Sequence, residues 1–467
     1  MDQGIPKKER KLHILGGGPA GLSVAYFAKQ KGIDFELLEG GDQLGGNCRT
    51  LQLGDCLFDT GAHRFHDKNP EVTTIIKNLL GDDLLRVSAP SQIFHQKQFF
   101  RFPLTFTDLV KKLDWQSSLK VSIENILSRL KLRQDTITNF AELAHRNYGP
   151  TLSAKFLLNY SRKLWGLDTH LLSPTISGGR LRGLDLKHFI RESILGQVET
   201  PTHIDGDFFY PKYGFGMICD KLVELIGKSK IHTTCRITNL MHSNGRIDHF
   251  IVNGNQKIPV SQIISTLPLH LTIEMLEPKP PSKLLRVARS IRFRHLVLVV
   301  FCLNRNSFSD NASIYFPDPQ IPFTRLYEPK NRSQYMSPPD QTAIVIELPC
   351  DKDDEIWQKP DISLQQQVFQ ALQEITLIGQ DEILQCQVIK LPFAYPVMTA
   401  NFETKVEKLL KYCQRFENLY LIGRNALFRY LHLHNLFELG QLSVKQLMKD
   451  FHCQSRWVSC RILLPIK

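Results

Sequence analysis

The chain has 467 residues, 42% of them hydrophobic and 22% charged, which is ordinary for a globular protein of two or three domains. Lys and Arg outnumber Asp and Glu by 58 to 46, giving a net charge of +12, but no dense basic run indicates a nucleic-acid partner. The ten cysteines form no CxxC pair, which excludes zinc-ribbon and thioredoxin-type sites.

The sequence shows no targeting or membrane-spanning signal. The N-terminal "MDQGIPKKERK" lacks an apolar h-region, and no run reaches the roughly 18 apolar residues of a membrane span. We therefore expect a cytoplasmic protein. Peripheral contact with an acidic membrane surface is an alternative that the positive net charge would favour.

The first predicted elements form a βαβ unit. Leu12–Leu15 and Phe35–Leu38 are short apolar runs typical of buried strands, and Pro19–Lys31 has helical periodicity. The unit spans about 30 residues, the length of a parallel crossover connection.

A glycine-rich turn joins the first strand to the helix. Gly16, Gly18 and Gly21 satisfy G-x-G-x-x-G, in which the glycines allow a tight turn, close approach to a pyrophosphate and close helix–strand packing. The helix N-terminus would present unpaired N–H groups to the phosphates. Glu39 ends the second strand, where a carboxylate accepts hydrogen bonds from ribose hydroxyls. The pattern predicts a dinucleotide site.

Helical periodicity follows from Pro103 to about Ile194 and predicts a helical insertion. Its segment "LTFTDLVKKLDW" fits a helix packed over an active site or, alternatively, a membrane-surface helix. Strand patterns then return, and the Asn-Gly pairs at Asn244 and Asn253 predict hairpin turns. The predicted strands are Asp207–Tyr210, Ile231–Thr234, Arg236–Leu240, Ile247–Val252 and Ile263–Leu267.

A second sheet is predicted from about Arg292 to Leu348, where apolar runs such as "HLVLVVFCL" and "TAIVIEL" occur. A strand "NLYLIG" and a helix over roughly Phe437–Asp450 end the predicted elements.

The second glycine pair distinguishes between cofactors. "GGDQLGGNCRT" followed by "GDCLFDTGAHRF" resembles the extended fingerprint of FAD-binding flavoproteins in the amine oxidase, protoporphyrinogen oxidase and phytoene desaturase superfamily. The resemblance implies FAD rather than NAD. It places Gly45, Gly46 and Arg49 along the diphosphate and ribityl chain, with "FDTGAH" beneath the isoalloxazine. The cofactor-binding residues it implies are Gly16, Gly18, Pro19, Ala20, Gly21, Glu39, Gly45, Gly46, Asn47, Arg49, Gly61, Ala62, Ile237, Thr266, Gly423 and Arg424.

The same resemblance implies an α/β fold: a Rossmann-type FAD-binding domain of the glutathione-reductase-2-like kind, with a helical insertion and a mixed-sheet substrate domain. The FAD-binding domain would be discontinuous. The implied domains are 11–100, 205–270 and 391–450 for FAD, 101–204 for the insertion, 271–390 for the substrate sheet, and 451–467 as a tail.

Motifs outside the FAD fingerprint resemble the UDP-galactopyranose mutase branch. They include "QFFRFPLTF", "IYFPDPQIPFTRLYEPKN" and "GRNALFRY"; the branch carries Gly-Arg at Gly423–Arg424, where many superfamily members carry Gly-Asp. The resemblance implies a diphosphate clamp of Arg325 and Arg429, since guanidinium groups bind phosphates bidentately.

Further roles follow from that resemblance. Tyr395 and Tyr430 would line the substrate site, Arg180 and Arg182 would add positive charge, and His63 would lie beside the flavin. Trp165 fits the core better than the substrate cleft. The residues Tyr210, Lys212 and Tyr213 are candidates for packing under the flavin.

One stretch departs from the branch. Relatives carry an Asn/Asp/His-rich turn where this chain reads "LHLHNLF", and His432 and His434 have no visible third metal ligand, so no metal is predicted. The departure favours a substrate other than that of a simple mutase. We expect an FAD-dependent oxidoreductase acting on an anionic nucleotide-linked sugar, with a small anionic partner such as a UDP-sugar. The alternatives are a non-redox mutase using reduced FAD and a protoporphyrinogen, polyene or amine oxidase.

Overall fold

The structure, a computed structural model, describes residues 11–130, 136–177, 207–375 and 377–452. It has a mixed α/β architecture with several separate sheets, which confirms the predicted fold class. The strands are β1 (Leu12–Leu15), β2 (Phe35–Leu38), β3 (Thr50–Leu53), β4 (Cys56–Asp59), β5 (Leu84–Val87), β6 (Ser91–His95), β7 (Gln98–Phe102), β8 (Phe208–Pro211), β9 (Ile231–His232), β10 (Ile237–Ser243), β11 (Arg246–Val252), β12 (Gln256–Pro259), β13 (Gln262–Ser265), β14 (Leu276–Glu277), β15 (Arg292–Leu303), β16 (Ser313–Tyr315), β17 (Arg325–Tyr327), β18 (Thr342–Cys350), β19 (Ile383–Val397) and β20 (Leu419–Leu421).

Helices connect and cover these sheets. The α-helices in the described residues are α1 (Pro19–Gln30), α2 (Pro70–Leu80), α3 (Phe106–Lys112), α4 (Trp115–Leu130), α5 (Phe140–Leu152), α6 (Asn159–Trp165), α7 (Met217–Ile226), α8 (Leu269–Glu274), α9 (Ser282–Ser290), α10 (Glu355–Gln358), α11 (Asp361–Glu374), α12 (Phe402–Cys413) and α13 (Leu433–His452).

A parallel five-stranded sheet forms the first layer, in the order β20-β13-β1-β2-β9. All four residues of β1 are buried, as expected for a central parallel strand covered on both faces. The predicted βαβ unit is confirmed, because β1 pairs in parallel with β2 after the α1 crossover. The sheet therefore places the β1–α1 turn at its carboxyl edge, where α/β folds bind ligands.

A four-stranded sheet, β12-β11-β10-β14, extends from the parallel sheet. Its turns are the predicted ones: Asn244 and Asn253 both have positive φ, 46° and 52°, which asparagine tolerates better than other side chains.

A seven-stranded sheet in the order β19-β15-β18-β17-β16-β6-β7 forms the second large unit. Along β15, Val297 and Val299 face a cluster that includes residues of α11, whereas Leu298 and Val300 face the β3–β4 hairpin. The hairpin β6–β7 belongs to this sheet, whereas the sequence analysis includes residues 91–100 in the predicted FAD-binding segment.

The helical segment lies beside the β6–β7 hairpin. Leu109 of α3 is buried against Phe100, while Val110 and Trp115 are 57% and 74% exposed. In the described part of the chain, no helix combines the length and the apolar character needed to cross a membrane.

Candidate active site

The β1–α1 turn has the geometry of a phosphate-binding loop. Gly16 has φ 104°, and a Cβ on Gly21 would lie 1.9 Å from the Gly16 carbonyl oxygen, so neither position accepts a side chain. α1 begins at Pro19 after Gly18, without a side-chain cap. The first N–H groups of the helix are therefore left for a ligand.

The second glycine pair lies directly against this turn. The Gly45 N–H donates to the Gly17 carbonyl at 2.9 Å. A Cβ on Gly46 would lie 3.2 Å from the Gly18 Cα. Two backbone loops thus approach each other without side chains between them, and they form a cradle lined by backbone.

Glu39 is held in place by the same loops. Its Oε2 accepts from Gly17 N at 2.7 Å and its Oε1 accepts from Gly41 N at 2.8 Å. Each carboxylate oxygen keeps a lone pair for a ribose hydroxyl. The carboxylate is therefore oriented before any nucleotide binds.

The remaining predicted contacts border this cradle. The Thr266 hydroxyl donates to the Leu15 carbonyl at 3.0 Å. Gly423 has φ 95°, and a Cβ added there would lie only 3.1 Å from the Cβ of Ala20. Ile237 begins β10 next to the same sheet.

Arg49 has a guanidinium N–H, unpaired within the described residues, that fits a dinucleotide diphosphate. Its Nη1 donates to the Gln43 Oε1 at 3.2 Å, but its buried Nε has no hydrogen-bond partner among the described residues. A buried unpaired guanidinium N–H is costly unless an acceptor arrives. The residues present therefore fit an anion such as the FAD diphosphate.

His63 lies beside the second glycine pair, in contact with Asn47. Its Nε2 donates to the Asn47 carbonyl at 2.7 Å, and its ring stacks on Phe215 at 4.9 Å between centroids. Burial, assisted by the charges of Arg424, Arg325 and Arg332, lowers the pKa of His63 to about 3. The imidazole is neutral at physiological pH, with Nδ1 left as an acceptor.

Asp59 joins three parts of the fold near His63. Its carboxylate accepts from the Tyr210 hydroxyl at 2.6 Å, the Thr50 hydroxyl at 2.7 Å and the Phe215 N–H at 2.9 Å. Its carbonyl accepts from the Tyr327 hydroxyl at 2.6 Å. Burial raises the pKa of Asp59, whereas these hydrogen bonds lower it. The network fixes β4 relative to β8 and the seven-stranded sheet.

Aromatic side chains gather on the other side of His63. The rings of Tyr395 and Tyr430 lie parallel, 10° apart in plane, with centroids 6.3 Å apart. Trp165 contacts Tyr395 edge-on at 6.1 Å and is 5% exposed. The Arg424 guanidinium lies over Tyr430 at 4.7 Å and donates to the Leu431 carbonyl at 2.7 Å. These residues form one wall of aromatic and basic character.

Arg325 lies in the same region but has a protein partner. Its Nε and Nη2 donate to the two Glu347 carboxylate oxygens at 2.9 and 2.6 Å. The pair is directly opposite in the β17–β18 register. Because this bidentate pair uses two of the guanidinium donors, only Nη1 lies outside it.

Arg429 is half-buried, and burial lowers its pKa. No hydrogen bond or ion pair joins its guanidinium to a described residue, and none joins it to Arg325. The two-arginine clamp therefore stays a prediction.

The other predicted residues differ in burial and in the groups they contact. Tyr210 is fully buried on Asp59, whereas Tyr213 is 45% exposed. The ammonium of Lys212 lies over the ring of Tyr335. His432 and His434 stack at 5.8 Å at the N-terminal end of α13, and no group of three His, Cys, Asp or Glu suited to a metal occurs in residues 11–130, 136–177, 207–375 and 377–452. Arg180 and Arg182 lie outside the described residues.

Sequence reasoning missed several residues around the wall. Tyr160 and Tyr315 lie near Arg325, and the 2% exposed Arg332 lies over the ring of Tyr327. Glu347 carried a signal, since an acid inside the apolar strand "TAIVIEL" needs a buried partner.

Comparisons with known proteins agree with this geometry. The profile of the family described as flavin containing amine oxidoreductase matches residues 19–390. The chain belongs to this family. FAD, predicted from the two glycine motifs, is confirmed as its cofactor, and the predicted superfamily is confirmed too.

Individual relatives are more distant. UDP-galactopyranose mutase of Mycoplasma pneumoniae is 27% identical over 175 residues, which cover 35% of this chain and 43% of the mutase. The chain thus spans less than half of the length of the curated relatives it matches. A crystal structure of reduced UDP-galactopyranose mutase has a TM-score of 0.83 at 17% identity, covering 96% of both chains. A putative protoporphyrinogen oxidase from Exiguobacterium sp. 255-15 has a TM-score of 0.76, also at 17% identity, covering 96% of this chain and all of that one.

Proposed function

We propose that the chain is an FAD-dependent oxidoreductase whose substrate is an anionic, nucleotide-linked sugar of polysaccharide or cell-envelope metabolism. The observation that carries the proposal is the positive charge beside the aromatic wall. The Arg424 guanidinium donates to a carbonyl and stacks on Tyr430, and no described carboxylate pairs with it. Arg429, five residues further, is half-buried and also lacks an acidic partner among the described residues.

A phosphate-bearing substrate would balance these charges. Guanidinium groups keep their charge at any physiological pH and bind phosphate oxygens bidentately. Burial raises the pKa of Tyr395 above its ordinary value, so its hydroxyl stays protonated and can donate to an anion. The flat faces of Tyr395 and Tyr430 would contact the base or the sugar.

Bound FAD supplies hydride acceptance, and the chain's residues bind, orient and exclude water. Positive charge from Arg424 near His63 favours an anionic reduced cofactor and an anionic substrate alike. Because His63 is neutral, its Nε2–H holds the Asn47 loop, and its unprotonated Nδ1 is an acceptor.

The test is a spectral titration of the purified holoenzyme. UDP-sugars, dTDP-sugars and porphyrinogens are added to oxidised and to reduced protein, and the visible flavin spectrum is followed. We expect a UDP- or dTDP-sugar to perturb the spectrum and, without oxygen, to bleach the oxidised flavin.

An arginine variant makes the titration specific. Arg429→Ala should weaken nucleotide-sugar binding by about tenfold to a hundredfold, the effect of losing a charged hydrogen bond. Arg86→Ala, which removes an exposed arginine paired with Asp207, is the matched control and should bind normally. A colourless protein, or a flavin that responds only to porphyrinogens or amines, would refute the proposal.

A non-redox mutase is the second candidate, favoured by the aligned stretch of the Mycoplasma pneumoniae mutase. It predicts turnover of UDP-galactopyranose only after chemical reduction of the flavin, with no acceptor consumed. Anaerobic bleaching of oxidised flavin by substrate distinguishes the oxidoreductase from this candidate.

A further inference from the structure

Two cysteines from distant parts of the chain meet at the start of β4, the strand that ends at Asp59. Cys56 is the first residue of β4 and Cys302 lies near the end of β15, and their Sγ atoms are 2.9 Å apart. Both side chains are buried, at 0% and 2% exposure, in a small cluster with Ala343 and Leu53. The contact joins the β3–β4 hairpin to the seven-stranded sheet.

The surroundings favour the thiolate of one member of this pair. The hydrogen bond from Cys302 lowers the pKa of Cys56 to about 7, although burial opposes the shift, and the charge of Lys330 assists it. The same hydrogen bond raises the pKa of the Cys302 thiol. A thiolate fraction at neutral pH beside a second thiol is the arrangement of an attacking cysteine with its resolving partner.

Access to the buried pair requires the end of the β3–β4 hairpin to open. Gly54 and Asp55, which precede Cys56, form the exposed turn between β3 and β4. Local opening of such a hairpin end admits a molecule as small as a peroxide.

We propose that Cys56 and Cys302 form a reversible disulfide when the protein meets hydrogen peroxide or a small organic peroxide. The Cys56 thiolate attacks a peroxide oxygen, so that an S–O bond forms, the O–O bond breaks, and water or an alcohol leaves. The Cys302 sulfur then attacks the Cys56 sulfenic acid and releases water. The two cysteines lose two electrons and the peroxide gains two; a dithiol reductant reverses the change.

The disulfide would act on β4, the strand that leads to Asp59 and His63. β4 runs from Cys56 to Asp59, whose carboxylate is bound by Tyr210 and Thr50. A disulfide at the start of β4 would fasten this strand to β15 across 246 positions of sequence. We therefore expect a higher Tm in the oxidised holoenzyme than in the reduced one.

The experiment treats the reduced holoenzyme with an equimolar amount of hydrogen peroxide, blocks remaining thiols and maps peptides without reduction. We expect a mass about 2 Da lower, for the loss of two hydrogens. One linked peptide pair should contain Cys56 and Cys302, and tris(carboxyethyl)phosphine should restore both thiols.

Variants test the order of the two steps. Cys302→Ser should stop the reaction at a Cys56 sulfenic acid, which dimedone labels. Cys350→Ser removes a buried thiol from the same sheet and should leave the linked pair intact. If Cys302→Ser does not fold, Cys302→Ala is used, and the wild-type peptide map decides in any case. Recovery of Cys56 and Cys302 as blocked thiols after the peroxide is consumed, or their appearance in other pairs, would overturn the proposal.

Discussion

At the scale of single residues, the cofactor site depends on where side chains are missing. Gly21 has no room for a Cβ, because that atom would lie 1.9 Å from a backbone oxygen. Gly18 is different: a Cβ there would meet nothing closer than the Gly46 Cα at 3.8 Å. Gly21 is therefore needed by the fold, and Gly18 is needed by the ligand.

We expect Gly18→Ala to lose FAD without losing stability. Gly18 has φ −77° and ψ 179°, which alanine adopts without strain, but the added methyl group would occupy the cradle that the pyrophosphate approaches. FAD affinity, measured by fluorescence titration of the apoprotein, should fall about tenfold or more. The Tm of the apoprotein should stay unchanged.

A matched glycine provides the control. Gly32→Asn lies at an open position with φ 67°, which asparagine tolerates, and should bind FAD normally. Normal FAD binding by Gly18→Ala would contradict the cradle.

His63 should make stability depend on acid. Its pKa is about 3 in the fold against an ordinary 6.5, so between these values the unfolded chain binds a proton that the folded chain does not. The free energy of unfolding should therefore rise with pH from about 3 to 6.5. His63→Asn should remove up to about 1.4 kcal/mol per pH unit of this slope, measured by urea unfolding at several pH values. His170→Asn, at an exposed ring, should retain the slope; equal slopes in all three proteins would refute the assignment.

At the scale of elements, strand register decides which charges meet. β17 pairs with β18 so that Arg325 lies opposite Glu347, and the two close a bidentate pair with side chains 16% and 2% exposed. The sequence predicted the strand region of β18 and Arg325 as a site residue, but no separate strand at β17. It did not predict the pair, because a cross-strand partner 22 positions away depends on register, which no local pattern specifies.

Breaking this pair should be expensive. Glu347→Gln leaves the Arg325 charge buried without its partner and should lower the free energy of unfolding by about 3–5 kcal/mol, measured by denaturant titration. The exposed pair of Arg86 and Asp207 gives the comparison, and Asp207→Asn should cost about 0–1 kcal/mol. Equal effects of the two substitutions would show that Arg325 is solvated or has another partner.

At the scale of the whole molecule, the predicted FAD site joins segments that are far apart in sequence. Residues of the β1–α1 turn, the 45–49 loop, β13 and Gly423 meet at one edge of the parallel sheet. A ligand bound there connects the discontinuous parts of the chain.

Bound FAD should therefore stabilise the entire fold. Adding FAD to the apoprotein at about one hundred times its Kd should raise the free energy of unfolding by about 2.7 kcal/mol and raise the Tm measured by calorimetry. Gly18→Ala should show a smaller rise at the same FAD concentration, about 1.4 kcal/mol or less for a tenfold or greater loss of affinity. A wild-type Tm that FAD does not change would contradict FAD binding to the folded chain, and an equal rise in Gly18→Ala would place the cofactor outside this site.

The resemblance of the paired glycine motifs to those of FAD-binding flavoproteins implied the FAD cofactor. Local sequence by itself determined the glycine turns, the βαβ unit and the Asn-Gly hairpins. These features depend on φ angles, hydrophobic period and short spacing, which neighbouring residues specify. Only the tertiary structure decided that β6–β7 joins the seven-stranded sheet, that Glu347 takes two donors of Arg325, that Asp59 links three units, and that Cys56 meets Cys302. The contacts between these units join residues 22 to 268 positions apart, and packing of whole sheets, rather than local preference, brings such residues together.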